Sequence, residues 1–461
     1  MSKEKSLEEI LDEFIESIQK RNNRELTEDK RNKLKIVLED NFDFVSKDKE
    51  EFLNKFNPWQ NDEGKELIEK FVGIVNNTHS PDDFSWLDIL EKDEQWKKSW
   101  EKSDKEVKIK EEVLDKNKHV NMRYQIPTHF HGDIDNAVVF HCMENPRGYI
   151  KDSEMDTWVE KQMLGKKTID DYYKYTAKFR DEPWKNETSQ KIIKERYKLN
   201  DFTRDSIKKI IYSDAKDETP LRRELDNMFD EKQKPKFFKE KYILKPHSNS
   251  NKPVLSKKYY YIARYYAQLL DINGENLSKY NIESDYKEEA QAERDKAIKI
   301  SEKICNVEIY PFSSSEPKLD GIGEAILLNS DLSRLGAYII LRRIYRYLDN
   351  KAEKPVIIFR KYDSAWEKLF IEIFKKTFSK VESSTSEFNT YDLLEKLEEN
   401  FFFCQLSPQG GGITDGNVIS VPDFKAWKNI YEKLKKLAFT EISELLLRTD
   451  IDKVDSQKAG D

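Results

Sequence analysis

Four short apolar runs constrain this chain more than any other feature: Ala137-Val138-Val139-Phe140-His141-Cys142, Val307-Glu308-Ile309-Tyr310, Val356-Ile357-Ile358-Phe359 and Phe401-Phe402-Phe403-Cys404. Each is too short for a packed helix and rich in β-branched or aromatic residues, so each reads as a buried strand. Helical stretches separate them, notably Leu335 to Leu348 and Trp366 to Phe378. Strands that alternate with helices form a mostly parallel sheet with both faces covered. The expected fold is therefore α/β, with a three-layer α/β/α core of about four mostly parallel strands. Ligands of such sheets sit beyond the carboxyl ends of the strands.

At ~150 residues per domain, 461 residues suggest about three domains or one enlarged core. Residues 1–120 read as a helical N-terminal domain. Leu7, Ile10, Leu11, Phe14 and Ile18 recur at helical spacing, as do Leu34, Val37, Leu38, Phe42 and Val45, with Trp86, Trp96 and Trp100 as packing anchors. The core would take 121–150 and 300–445. The interval 151–299 is far longer than one crossover requires, so it reads as a helical insertion, and 446–461 as a polar tail.

Composition narrows the function classes. Charged residues make up 37% and there are only 14 Gly, which favours helices, while 25 Phe, 22 Tyr and 8 Trp supply the buried area that a disordered chain lacks. No apolar leader or span of ~20 apolar residues occurs, so no membrane partner is expected. Cys142, Cys305 and Cys404 are too few for a disulfide scaffold and lack the spacing of a zinc site, which points to the cytoplasm. A net charge of -7 argues against a protein that coats nucleic acid with its whole surface.

A local basic stripe remains. Between residues 232 and 266, Lys234, Lys236, Lys239, Lys241, Lys257 and Lys258 interleave with Phe237, Phe238, Tyr242, Tyr259, Tyr260, Tyr261, Tyr265 and Tyr266, against the single acid Glu240. Lysines of this kind neutralise phosphates and exposed rings stack on bases. The same residues also fit a helix with a buried tyrosine stripe, Tyr261, Tyr265 and Leu269, and a solvated lysine face.

Two loops follow the strands with chemistry in them. In Glu144-Asn145-Pro146-Arg147-Gly148-Tyr149, the Asn145 amide can orient a water, and Gly148 permits a sharp turn or close approach by a ligand. Glu144 fits either an anionic group or general base beside it, or a surface carboxylate. The second loop runs from Gln405 to Asn417 and holds Gly410, Gly411, Gly412 and Gly416, whose backbone N–H groups can receive a phosphate or sugar.

The succession "GDIDNAVVFHCMENPRGY", "VEIYPFSSS", "KPVIIFRKYDSAWEKL" and "FFFCQLSPQGGGITDGNV" resembles the uracil-DNA glycosylase superfamily, especially its larger bacterial branches, over residues 125–150 and 300–440. The resemblance implies hydrolysis of the N-glycosidic bond of a flipped base, modified bases included, on DNA that can be single-stranded, with no cofactor and no metal. Asn145 then corresponds to the water-positioning Asn or Asp and Pro146 to the Pro of that loop. Tyr149 lies near an aromatic that can stack on the base. Ser407 and Pro408 correspond to the Ser-Pro of the second motif, with Gln405 or Gln409 reaching the base or sugar. Tyr310 and Ser313 would line the pocket, and Arg147, Gly410 and Gly411 would contact the nucleic acid. The chain departs from the family in three places: no Gly precedes Asn145, the second motif has no His, and Tyr310-Pro311 stands where uracil-specific members place an Asn.

Those departures support a second reading, a catalytically inactive nucleic-acid-binding or interaction protein on the same fold, for instance in phage defence. A third starts from Thr128-His129-Phe130-His131-Gly132-Asp133, which resembles the opening of the metallo-β-lactamases. Ile134 stands where that family needs its next His, so His129 and His131 are expected instead as loop residues flanking the pocket entrance. The sequence sets no oligomeric state.

If the basic stripe binds DNA, log affinity for single strands falls with log salt at roughly -0.7 per phosphate contact. Replacing Lys234, Lys236, Lys239 and Lys241 together by Gln is expected to reduce that slope by up to about three units in a salt titration. An unchanged slope would assign the lysines to a solvated face.

Overall fold

The computed structural model describes residues 26–76, 78, 126–144, 194, 199–212, 214, 216–228, 261–267, 269–270, 287–311, 328, 331–379, 389–406, 412–414, 417–426 and 428. Six strands form one sheet: β1 (Phe130–His131), β2 (Val139–Met143), β3 (Ile304–Glu308), β4 (Val356–Phe359), β5 (Phe402–Gln405) and β6 (Val418–Ser420). Their order is β1-β3-β2-β4-β5-β6. The central β3-β2-β4-β5 pairings are parallel, whereas β1 and β6 run antiparallel at the edges. The result is a mixed, mostly parallel sheet in an α/β chain. From β2 the chain passes to β3 on one side and then crosses to β4 on the other, so the order switches between β2 and β4.

The two edge strands differ from expectation. His131 lies within β1 and His129 immediately precedes it; Phe130 pairs with Val307 and His131 with Asn306. A two-residue strand leaves no alternation to read. Gly132 turns the chain out of β1 at φ +118°, with the carbonyl of Ile304 only 2.7 Å from where a Cβ would stand, so glycine is needed there on both counts. Strand β3 also starts earlier than its apolar run, because the polar Asn306 and the thiol of Cys305 are buried inside it.

Successive strand residues point to opposite faces and enter two apolar clusters. Phe140, Cys142, Cys305, Val307, Ile357, Phe359, Phe402 and Cys404 join the first, with residues of α1 (Glu28–Asn41), α2 (Lys49–Phe56), α7 (Asp331–Leu348), α8 (Glu367–Phe378) and α9 (Thr390–Asn400). Val139, Met143, Ile304, Val356, Ile358 and Phe403 join the second, with α5 (Pro220–Met228), a π-helical turn at Ile262–Tyr266 and α6 (Lys287–Ser301). Two further helices are α3 (Asp62–Val75) and α4 (Arg204–Tyr212), and a second π-helical turn lies at Tyr362–Trp366. Leu34, Leu38, Phe42 and Val45 belong to the first cluster, so α1 and the turn after it pack in the same core as the sheet. All three cysteines are free and buried.

The amino ends of the central strands are held by arginines of α7. Arg342 makes a bidentate pair with Asp135, Nε to Oδ1 at 3.0 Å and Nη2 to Oδ2 at 2.9 Å, and its Nη1 donates to the carbonyls of Val45 and Lys47. Arg343 donates from Nε to the Ala137 carbonyl at 2.9 Å and from Nη2 to the Glu353 carbonyl at 2.6 Å. Both side chains are buried. From the other direction, Arg31 of α1 donates to the carbonyls of Tyr347 and Leu348 in the last turn of α7.

Removing one member of a buried pair strands the other charge, so Asp135→Ala is expected to destabilise the fold by about 3–5 kcal/mol in denaturant unfolding. The exposed Lys55–Asp43 pair, 2.9 Å apart, serves as control, and Asp43→Ala should leave the midpoint essentially in place.

Candidate functional site

At their carboxyl ends the four parallel strands turn polar together. Strand β2 runs into Glu144, β3 ends at Glu308, β4 runs into Arg360 and Lys361, and β5 ends at Gln405. Glu144 is 5% exposed, not the surface carboxylate that its position also allowed. Its Oε2 lies 3.6 Å from Arg360 Nε and its Oε1 3.8 Å from Lys361 Nζ. Arg360 in turn donates from Nη1 to Tyr265 Oη at 2.7 Å, with its guanidinium 5.6 Å from the centre of that ring. Backbone strain is stored at the same place: Lys361 has φ 47° and ψ 50°, a left-handed conformation unusual for a residue with a Cβ, and opens a π-helical turn at Tyr362–Trp366. With the turn at Ile262–Tyr266, two π-helical segments frame this end of the sheet, a form that recurs at functional sites.

Glu308 is 1% exposed, and its Oε2 has no hydrogen-bond partner among the described residues. Burial first, and then the nearby Glu144, push this carboxyl well above the usual carboxylate range, with Arg360 pulling the other way.

Behind these groups runs a buried polar chain. His141 Nε2 lies 3.2 Å from Gln405 Oε1, His141 Nδ1 lies 2.9 Å from Tyr266 Oη, and Tyr266 bonds on to Asn306 Oδ1. A neutral His141 has one N–H and Tyr266 one O–H, so the protons run in a single direction along the chain, with the end amides turned to suit. Burial, and next Arg360, lower the pKa of His141 to about 3.

The other two histidines of the His-x-His segment are structural. His129 Nδ1 accepts from Trp59 Nε1 at 3.1 Å, which leaves its Nε2–H to donate to the Leu332 carbonyl at 2.7 Å. His131 Nε2 lies 2.9 Å from Thr128 Oγ1. Both are buried, His131 within β1 and His129 immediately before it, and not in a loop leading to β2. No group of three or more His, Cys, Asp and Glu that could hold a metal occurs among the described residues.

Gly412 and Ile413, after β5, pack on the π-helical turn at Ile262–Tyr266. Ile413 N donates to the Tyr265 carbonyl at 2.8 Å, and a Cβ on Gly412 would stand 2.9 Å from that same oxygen. At Gly412 the close approach is thus by the protein's own backbone. Tyr265 and Leu269 are buried and Tyr261 partly so, as the tyrosine-stripe alternative has it, although the turn that carries Tyr265 is π-helical.

Of the residues singled out from the sequence, Glu144, Tyr310 and Gln405 come to one edge of the sheet, where Tyr310 N donates to the Glu144 carbonyl at 3.0 Å. Asn145, Pro146, Arg147, Tyr149, Ser313, Ser407, Gln409, Gly410, Gly411, Lys234, Lys236, Lys239, Lys241, Lys257 and Lys258 lie outside the described residues. Sequence reasoning missed Glu308, Arg360, Lys361 and His141. The available signals were a carboxylate inside an apolar run at Glu308 and two cations at the end of another. No protein-family model, curated protein or solved structure matches the chain.

The histidines make stability depend on pH. The pKa of His129, His131 and His141 drops from 6.5 to about 3 on folding, so the unfolded chain takes up protons that the folded one refuses. Their contribution is complete above pH 6.5 and is lost as pH falls toward 3. Replacing His141 by Gln should flatten the dependence by up to about 1.4 kcal/mol per pH unit in unfolding measured across that window. Identical slopes in variant and parent would contradict a neutral, buried His141.

Proposed function

We propose that the chain is a DNA glycosylase-like hydrolase that cleaves the N-glycosidic bond of a flipped base, on a three-layer α/β/α core. The observation that carries this reading is Glu144, buried against Arg360 and Lys361 just past the end of β2, at the same carboxyl end of the sheet as Tyr310 and Gln405. Cleavage of such a bond passes through an oxocarbenium-like state, which calls for a positioned water, an anion near the sugar and donors for the departing base. Asn145 positions the water, and Glu144 beside it accepts the water's proton. Arg360, fixed by Tyr265, keeps the Glu144 carboxylate in place until substrate binds. The base reaches the site only after leaving the stack.

A second reading, nucleic-acid binding without catalysis, is favoured by one observation: two cations already occupy the Glu144 carboxylate. A panel of oligonucleotides bearing uracil, hypoxanthine or modified cytosines, scored by alkali-labile strand cleavage, separates the two. Base release from at least one substrate is expected, with Asn145→Ala and Glu144→Gln each lowering it by about 100-fold or more while the fold is retained. Tight binding with no release from any substrate would establish the second reading.

A further inference from the structure

Glu308 is left unused by the chemistry above, yet it is placed to take part. The parallel register sets Glu308 beside Met143, one residue short of Glu144, on strands separated by ~4.8 Å. The ladder continues past them, with Ile309 N donating to the Met143 carbonyl at 3.1 Å and Tyr310 N to that of Glu144. Groups close enough to the Glu308 carboxyl to influence it electrostatically are Glu144 and Arg360 at the neighbouring strand ends, Tyr266 from the π-helical turn and Cys142 from β2. Arg360 and Lys361 make ion pairs with Glu144, whereas Glu308 makes none among the described residues. A fully buried carboxyl oxygen with no partner is costly, and its retention at a strand end calls for a reason.

We infer that Glu308 is the acid partner of Glu144, delivering a proton to the departing base while Glu144 takes one from the attacking water. The inference rests on the hydrolase reading. Water oxygen bonds to the anomeric carbon as the carbon–nitrogen bond breaks, and that bond's electron pair goes to the base. The Glu308 O–H proton follows it to the base, and the water's proton goes to the Glu144 carboxylate. Transfer of that proton from Glu144 to Glu308 resets the pair, so one water is consumed and a free base and a sugar hydroxyl are formed. A carboxyl that burial keeps protonated, beside one that makes ion pairs with two cations, divides the acid and base roles in this way.

The test compares Glu308→Gln with Glu144→Gln on two oligonucleotides, one bearing a base that departs poorly without a proton and one bearing a halogenated pyrimidine that departs readily as its anion. Glu308→Gln is expected to lose about 100-fold on the poor leaving base together with the alkaline limb of the pH profile, and to lose far less on the halogenated one. Glu144→Gln should lose on both. Equal losses on the two substrates in Glu308→Gln, or none on either, would overturn the inference. A measurement independent of turnover accompanies it: with carbon-13-labelled glutamate, the infrared band of a protonated carboxyl should be present at pH 7 in the parent, missing in Glu308→Gln and titrate at lower pH in Glu144→Gln. Absence of that band in the parent overturns the proton on Glu308 whatever the activity. The band without base release from any substrate overturns the hydrolase reading and supports the proton pair alone.

Discussion

The buried pairing of Arg342 with Asp135 is the constraint on which the rest of the sheet depends. Asp135 sits in the turn between β1 and β2, and Arg342 sits on α7, so the pair sets where β2 begins relative to the helix that covers it. The same guanidinium binds the carbonyls of Val45 and Lys47, which draws the segment between α1 and α2 onto that helix. Arg343 adds a link from the start of β2, at Ala137, to Glu353 just before β4. Taking these charges out of water is offset by the acceptors that Arg342 and Arg343 find, although Arg343 Nη1 has none among the described residues, so the partners must arrive together. Packing alone would allow α7 to slide along an apolar sheet; a planar fork does not.

The sheet consequently has two chemically different ends. At its amino end, arginines donate to backbone carbonyls and one carboxylate. Its carboxyl end holds two carboxyls, two cations and a histidine-centred chain, with one carboxyl oxygen left over. Strand direction explains why chemistry collects at the second end: parallel strands all release their following loops there, so residues far apart in sequence converge. The segment between β2 and β3 takes part as well, because Tyr265 and Tyr266 reach Arg360 and His141.

Much of this architecture was legible in the sequence. Val356–Phe359 stands as read, and Phe402–Gln405 starts one residue late, because runs buried on both faces carry their own signal. The edge strands were not legible: β1 has two residues and β6 three, and each is defined by a partner strand and not by its own pattern. The stripe through Phe42 and Val45 continues past the end of α1 at Asn41, since a turn delivers those side chains to the same cluster. Tyr261, Tyr265 and Leu269 share the spacing of an α-helix, and spacing does not distinguish it from a π-helical turn. In the site, Glu144 was visible as a candidate, but its burial was not, because Arg360 and Lys361 follow a different strand. Glu308 looked like a blemish in an apolar run until its neighbours were known.

The three cysteines carry a practical consequence. Cys142, Cys305 and Cys404 sit on β2, β3 and β5, all facing the first apolar cluster, and burial raises each thiol well above its ordinary range. A thiol in that state offers almost no thiolate to an oxidant or an alkylating reagent. The native sheet is thereby indifferent to redox conditions. Once the strands part, however, three reactive sulfurs appear at once, so thiol labelling reads the opening of this sheet from inside it, with no probe added to the surface.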